Sequence, residues 1–323
     1  MKLPSIPALQ RDARAPGPLC SWRIPAACVL AATLTAACGG GGTAATEPVV
    51  LDKANMQPAA RKANDSFVLF ELATAPRVFM LSSIAWFESG KPYQCLTDDA
   101  QSGTTTYTTS RPGQELQTGD TLTVKFDNCV LDADDPSARM SGAWVLTVRN
   151  ITGDSSSGVI GQPWSYQVLM QYQNLNMLSL TERTMVDGEM LVTESSPGIV
   201  NADFHEHVTT TFQTAVMRLT EDADTHTYTQ ASGTLVSDFT PEETWSATIS
   251  TELDSTALAG RLSFATVETF KGTLGNPIPA QGQGRIGTGQ PQQLLLRAQA
   301  TGVEGTLTTP QAAESFFIDW ANF

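Results

Sequence analysis

The sequence predicts a mainly β protein: an antiparallel meander of long hairpins that forms a barrel or half-barrel, with short N-terminal helices. Three observations point there. From residue 90 onward Thr, Val, Tyr, Phe and Trp alternate with polar residues, as in Thr121–Phe126, Tyr166–Tyr172 and Trp245–Leu253. A period of two marks strands with one face in a core. Turn-forming clusters recur every ten to fifteen positions, as hairpins require. Finally, an aromatic residue precedes a glycine by 16 positions in Phe126 to Gly142 and again in Tyr172 to Gly188. Looser copies pair Phe212 with Gly233 and Trp245 with Gly260. Each copy reads as a long strand, a polar loop, and a glycine at the start of the return strand that serves a bulge or a close backbone approach. Hairpins stacked in this way build a meander.

The elements follow in chain order. Lys2, Arg11, Arg14 and Arg23 make a positive start, and an apolar stretch runs from Ile24 to Leu34. That stretch has the length of a signal-peptide hydrophobic region and is too short to span a bilayer. It closes on Leu34-Thr35-Ala36-Ala37-Cys38, followed by Gly39 to Gly42. This segment resembles the lipobox of bacterial lipoproteins, in which small residues precede a cysteine that becomes the lipidated N-terminus after cleavage. Thr35 stands where that family commonly has Leu, Val or Ile, with Leu34 one place early. Thr35 and Ala37 also suit general signal peptidase at the same bond, which is the alternative of ordinary secretion as a soluble or periplasmic protein. The resemblance implies a signal peptide over 1–37, lipidation of Cys38, and a flexible tether over 38–48. Three acyl chains on one residue anchor stably, where one does so marginally. In the family it resembles, a residue other than Asp after the cysteine goes with the outer membrane, so Gly39 implies that membrane, with the body facing the periplasm or the surface.

Residues 49–87 form the helical segment of a single β-rich domain over 49–323. Lys53 to Ala63 is Ala-rich, and Phe67, Leu69, Phe70, Leu72, Val78, Phe79, Met80 and Trp86 supply an apolar side. Pro58 and Pro76 are expected to break it into one or two short helices. At the other end, Ser315 to Phe323 reads as a final strand.

Composition narrows the partners. With 19 basic and 33 acidic residues the chain carries net −14, so it repels phosphate backbones and no nucleic acid is expected as a partner. Loss of residues 1–37 removes four basic residues and one acid, leaving net −17 on 286 residues. The acidity thus belongs to the exported body. With 41% apolar residues the body can bury a core.

Of five cysteines, Cys20 and Cys28 lie in the signal segment and Cys38 is the lipid site. Cys95 and Cys129 remain, an even pair in an oxidising compartment, and are expected to form a disulfide. A redox or metal role lacks the Cys-x-x-Cys motif.

Candidate chemistry is sparse. His205 and His207 flank Glu206 in a strand-like stretch and point to one face. With His226, or with Asp203 or Asp224, they could hold zinc or copper; the alternative is a solvent-facing strand. Asp132 to Asp135 and Glu221 to Asp224 are partial calcium loops without the twelve-position spacing, and such acids equally favour turns. Gly153 to Gly158 has the letters of a nucleophile turn, and Gly282 to Gly287 those of a dinucleotide loop, but neither sits in a strand–turn–helix setting. No catalytic residue and no cofactor is assigned. Trp144, Trp164, Met170, Tyr172, Met177, Met190, Phe212, Met217, Trp245 and Phe264 either fill a sheet core or line an apolar cavity.

Cys95, the Gly119–Cys129 strand, the strand at Gly142 and Asp319-Trp320, on a body preceded by a Gly-rich tether, resemble a loose group of uncharacterised Gram-negative lipoproteins. That group brings no activity and no site residues. Long strands with an N-terminal helix are also similar in architecture to periplasmic lipoprotein-carrier half-barrels. The lipobox resemblance implies an outer-membrane-anchored lipoprotein, and three histidines with no recognisable triad or metal set point to a non-catalytic binding or envelope-structural role. The alternative is a carrier or sensor of a lipid or other apolar ligand in a half-barrel cavity; a metal-dependent or hydrolytic enzyme comes third. The partners so implied are the membrane, through the lipid anchor, and an apolar ligand or an envelope protein.

Overall fold

Alternation governs the fold. In Trp164–Leu178 the even-numbered residues from Trp164 to Tyr172 are buried, while Ser165, Gln167, Leu169 and Gln171 between them are half-exposed. The computed structural model describes residues 47–323 apart from 78–79, 81–87, 97–100, 133–134, 154–161, 179–182, 199–205, 240–242 and 277. Helices α1 (Met56–Asp65) and α2 (Val68–Thr74) precede β1 (Pro92–Gln94), β2 (Thr104–Thr109), β3 (Thr121–Asp132), β4 (Asp135–Thr152) and β5 (Trp164–Leu178). Then come β6 (Arg183–Ser196), β7 (Glu206–Glu221), β8 (Asp224–Phe239), β9 (Thr244–Ser255) and β10 (Gly260–Thr273). The chain closes with β11 (Gln281–Gly287), β12 (Gln293–Gln299), β13 (Gly302–Thr308) and β14 (Ala313–Asp319).

Each strand pairs antiparallel with its sequence neighbours, giving one 14-stranded sheet in strict chain order. Strands β1 and β14 do not meet, so the meander is open, as in a half-barrel. A row of bulges helps it curl. Register slips at Asn128 in β3, Asn174 in β5 and Gln230 in β8, each at positive φ, and Gly142 and Gly188 lie beside further slips in β4 and β6. A bulge leaves one residue unpaired and bends its strand; aligned across neighbouring strands, bulges crease a sheet.

The helices lie on the buried face. Phe70 meets Phe212 of β7 edge-on at 5.2 Å, and Phe67 meets Phe270 of β10 likewise at 5.2 Å. The Tyr172 hydroxyl of β5 donates to the carbonyl of Leu72 at 2.6 Å. α1 touches β11 and β13. Two helices of ten and seven residues therefore reach strands from β5 to β13 because the sheet wraps around them. The core runs from Val49 to Ile318 as one cluster, with Leu69, Phe70, Phe212, Tyr228 and Phe264 at 2% exposure or less.

The helix break differs from expectation. Pro58 sits inside the first turn of α1, where a missing N–H costs nothing, and the break falls at Ser66–Phe67 instead. Asn64, Asp65 and Ser66 are poor interior helix residues because their side chains compete for the backbone. The last strand also ends early, at Asp319, whose carboxylate accepts from the N–H of Ala321 and starts a 3-10 turn over Trp320–Asn322. At the front, Val49 N–H donates to the Arg261 carbonyl (2.9 Å) and Arg261 N–H to the Glu47 carbonyl (3.0 Å), so the lead-in is pinned to β10.

The aromatic–glycine spacing has a physical origin. Phe126 faces Gly142 across the ladder, Tyr172 faces Gly188 and Phe212 faces Gly233. The fourth copy is corrected: the β9–β10 turn falls at Thr256–Ala259, so Trp245 faces Gly272. Gly260 lies under the pinned lead-in, where a Cβ would come within 2.8 Å of the Glu47 carbonyl. At Gly233 and Gly272 the facing ring spreads over the residue without a side chain, whereas at Gly142 and Gly188 a Cβ would meet the backbone of the strand on the other side, at Asn174 and Val216. A Cβ on Gly233 would stand 2.6 Å from Phe212 and 2.9 Å from Phe70. Gly233→Ala is therefore expected to cost about 1–3 kcal/mol by overpacking. Urea unfolding measures it, and Phe212→Leu in the same chain should return part of the loss; additive losses would refute the ring-over-glycine account.

Candidate functional site

Two charged clusters lie between the helices and the sheet, the first buried and the second partly exposed. In the first, Arg77 follows α2 and meets Glu194 of β6. Nε donates to Oε1 at 2.8 Å and Nη2 to Oε2 at 2.9 Å, a two-pronged contact. The Thr210 hydroxyl of β7 donates to Oε2 at 3.0 Å and accepts from Nη2 at 3.3 Å. Glu194 is fully buried and the Arg77 side chain is 16% exposed. Burial pushes the guanidinium down, but Glu194 outweighs it and the net shift is upward. Burial and then the Glu194 charge push the Tyr166 phenol well above its ordinary value. At the mouth of this region the Trp164 Nε1 donates to Glu206 at 3.0 Å.

The second cluster joins the last turn of α1 to the β7–β8 hairpin. Lys62 Nζ lies 3.2 Å from Asp65 Oδ2 and 3.2 Å from His226 Nε2, and His226 Nε2 lies 3.7 Å from Glu221 Oε2. Among the described residues this is the one place where three His, Cys, Asp or Glu side chains converge, with ligand atoms of Asp65, Glu221 and His226 within 4.8 Å of one another. Burial, and secondarily Lys62, pulls His226 down to about 4, so its ring is neutral near neutrality. Burial raises the Asp65 carboxyl against the opposing pull of Lys62. Tyr228, two residues from His226 on the same face, is pushed well up by burial and then by the charges of Asp65 and Glu221.

The three-histidine arrangement read from the sequence does not assemble. His207 pairs across the ladder with Asp238, and His226 with Leu219, at opposite ends of the β7–β8 hairpin. Twelve residues of strand separate them, roughly 40 Å at about 3.3 Å each, so they cannot share an ion. His207 is exposed, with its Nδ1 3.8 Å from Asp238. His205 lies outside the described residues. The acids of the first partial calcium loop lie at or beside undescribed positions. In the second, Asp222 takes positive φ in the hairpin turn and accepts from the Arg183 N–H, the turn role weighed for it. Most of Gly153–Gly158 is not described, and Gly282–Gly287 forms β11. Cys95 and Cys129 are joined, with Cα atoms 5.5 Å apart, tying the chain after β1 to β3. Cys38 lies outside the described residues.

The greasy residues of the sequence are core. Trp144, Met170, Tyr172, Met190, Phe212, Met217, Trp245 and Phe264 are all buried beneath the helices or against one another. Two open depressions lie elsewhere. One of about 460 Å³ sits at the sheet end beside Pro163, Trp164 and Ser196; the other, about 470 Å³, lies over the outer bulges near Leu169, Leu191 and Gln230.

Glu71 of α2 is also buried in this helix–sheet layer, and burial raises its carboxyl to about 7 from 4.5. A raised acid binds its proton more tightly in the folded chain. Stability from this group is full below the unfolded value and falls as pH rises from 4.5 towards 7. The loss is about 3 kcal/mol once complete. Glu71→Gln should therefore stabilise by about that amount near pH 8 and by almost nothing near pH 4. Urea unfolding of both chains at the two pH values checks it; an equal effect at both would sink the assignment.

Fold and clusters together define the class: an open antiparallel β-meander curled round its own N-terminal helices, with paired charges between the layers. No family model, no curated protein and no solved structure matches the chain.

Proposed function

We propose that this chain is an exported protein anchored by lipid at Cys38 to the bacterial outer membrane, with a non-catalytic binding or structural role in the envelope. The observation that carries the reading is the run Leu34-Thr35-Ala36-Ala37-Cys38 after an apolar stretch and before four glycines. A Gly-rich leash suits a folded body held off a membrane surface. The joined Cys95–Cys129 pair suits an oxidising compartment. The binding or structural role, rather than the carrier of an apolar ligand, is favoured by α1 and α2. Their Leu69, Phe70 and Ala73 occupy the apolar face of the curled sheet at 1% exposure or less, where a carried lipid would have to sit. Cys38→Ser is expected to abolish acyl labelling and move the protein from the membrane to the soluble fraction. Undiminished labelling of the variant would overturn the reading.

A further inference from the structure

We propose that Asp65, Glu221 and His226 form a binding site for a divalent transition cation, Zn²⁺ by its donor set, in which the Lys62 ammonium is the occupant the metal displaces. One imidazole nitrogen and two carboxylates are ordinary zinc donors, and together they offer two negative charges to a dication. Donors on a tetrahedral zinc lie roughly 3.3 Å apart. The His226 Nε2 to Glu221 Oε2 separation is already 3.7 Å, and no ligand atom of the three is more than 4.8 Å from another. Lys62 Nζ, at 3.2 Å from both Asp65 and His226, stands where a cation would. Its side chain is 21% exposed, so it can swing to solvent without unfolding α1.

Unsatisfied buried atoms around the cluster supply the independent observation. Thr184 Oγ1, His226 Nδ1, Tyr228 Oη and Ser255 Oγ are all buried without a hydrogen-bond partner. They lie on adjacent strands: Thr184 opposite Glu221, and Ser255 opposite His226. Orphaned buried polar atoms are rare, and four of them lie around this one cluster. Tyr228, with no exposed surface, feels both Asp65 and Glu221. A metal-bound histidine characteristically gives its other ring N–H to an outer partner, and Ser255 stands opposite His226 on the neighbouring strand. The metal would join the end of α1 to the β7–β8 hairpin, fastening the helix layer to the sheet.

The test uses the full chain, stripped with a chelator and titrated with Zn²⁺ against a chromophoric competitor, and with Co²⁺ for its ligand-field spectrum. One equivalent should bind, with a tetrahedral Co²⁺ spectrum. Asp65→Asn and His226→Gln should each weaken binding more than about tenfold, since even outer partners of a metal are worth that much. Lys62→Met should tighten it by removing the competing ammonium, and His207→Gln should leave it unchanged. Lys62→Met, on a partly exposed face, decides the matter if the ligand variants do not fold. Sub-stoichiometric binding, binding that survives His226→Gln in a folded chain, or weaker binding in Lys62→Met would overturn the site.

Discussion

Arg77→Met should destabilise the folded chain by about 3–5 kcal/mol, because it strands a buried carboxylate. Glu194 is fully buried, and its two oxygens take their charge partner from Arg77 alone in the described contacts, with Thr210 adding one hydroxyl. Methionine keeps much of the arginine volume, so packing changes little and the cost is electrostatic. The same reasoning predicts strong non-additivity. Arg77→Met with Glu194→Met removes both charges, and should recover most of the loss, since a buried pair pays for its own desolvation and a well-packed apolar replacement is often neutral. Urea unfolding of the two single variants and the double variant gives the coupling. Additive losses would mean that the two side chains do not act as a pair.

The chain with Cys95 and Cys129 both replaced by Ala should lose about 4 kcal/mol, the chain-entropy value for a loop of this length. The bond closes 34 residues of sequence and fastens the β1 end of the meander, where β1 has only three residues and pairs only with β2. Loosening should therefore be uneven. Hydrogen exchange in β1 and β2 should rise first, whereas β5 to β9, each flanked by two long strands, should hold their protection. Uniform loss of protection across the sheet would contradict the placement of the bond at a weak edge. Reduction of the parent chain should reproduce the variant.

Much of this fold was legible in the sequence because its rules are local. Period-two alternation marks the long strands, and short polar connections force neighbours in sequence to be neighbours in the sheet. The aromatic–glycine interval was legible as well, since a hairpin converts a fixed spacing into direct opposition: Phe126 on Gly142, Tyr172 on Gly188, Phe212 on Gly233. It failed at Trp245, where the position of the turn shifts the partner to Gly272. The charged clusters were not legible. Arg77 and Glu194 are 117 residues apart, and Lys62 and His226 are 164 apart. Nothing local says where a helical layer will land on a curled sheet. The histidine reading erred for the same reason. His207 and His226 share a hairpin, but a hairpin brings together residues equidistant from its turn, and these two are not. His226 meets Glu221 across its own hairpin turn and Lys62 and Asp65 within one turn of the end of α1.

The proposed lipid on Cys38, holding an exported β domain to a membrane, is tested most directly by the mass of the N-terminal peptide from protein extracted from its native membranes. The expected chain begins at Cys38 and is heavier than the bare peptide by acyl groups on that residue. An unmodified Cys38, or a chain that still carries residues 1–37, would contradict it.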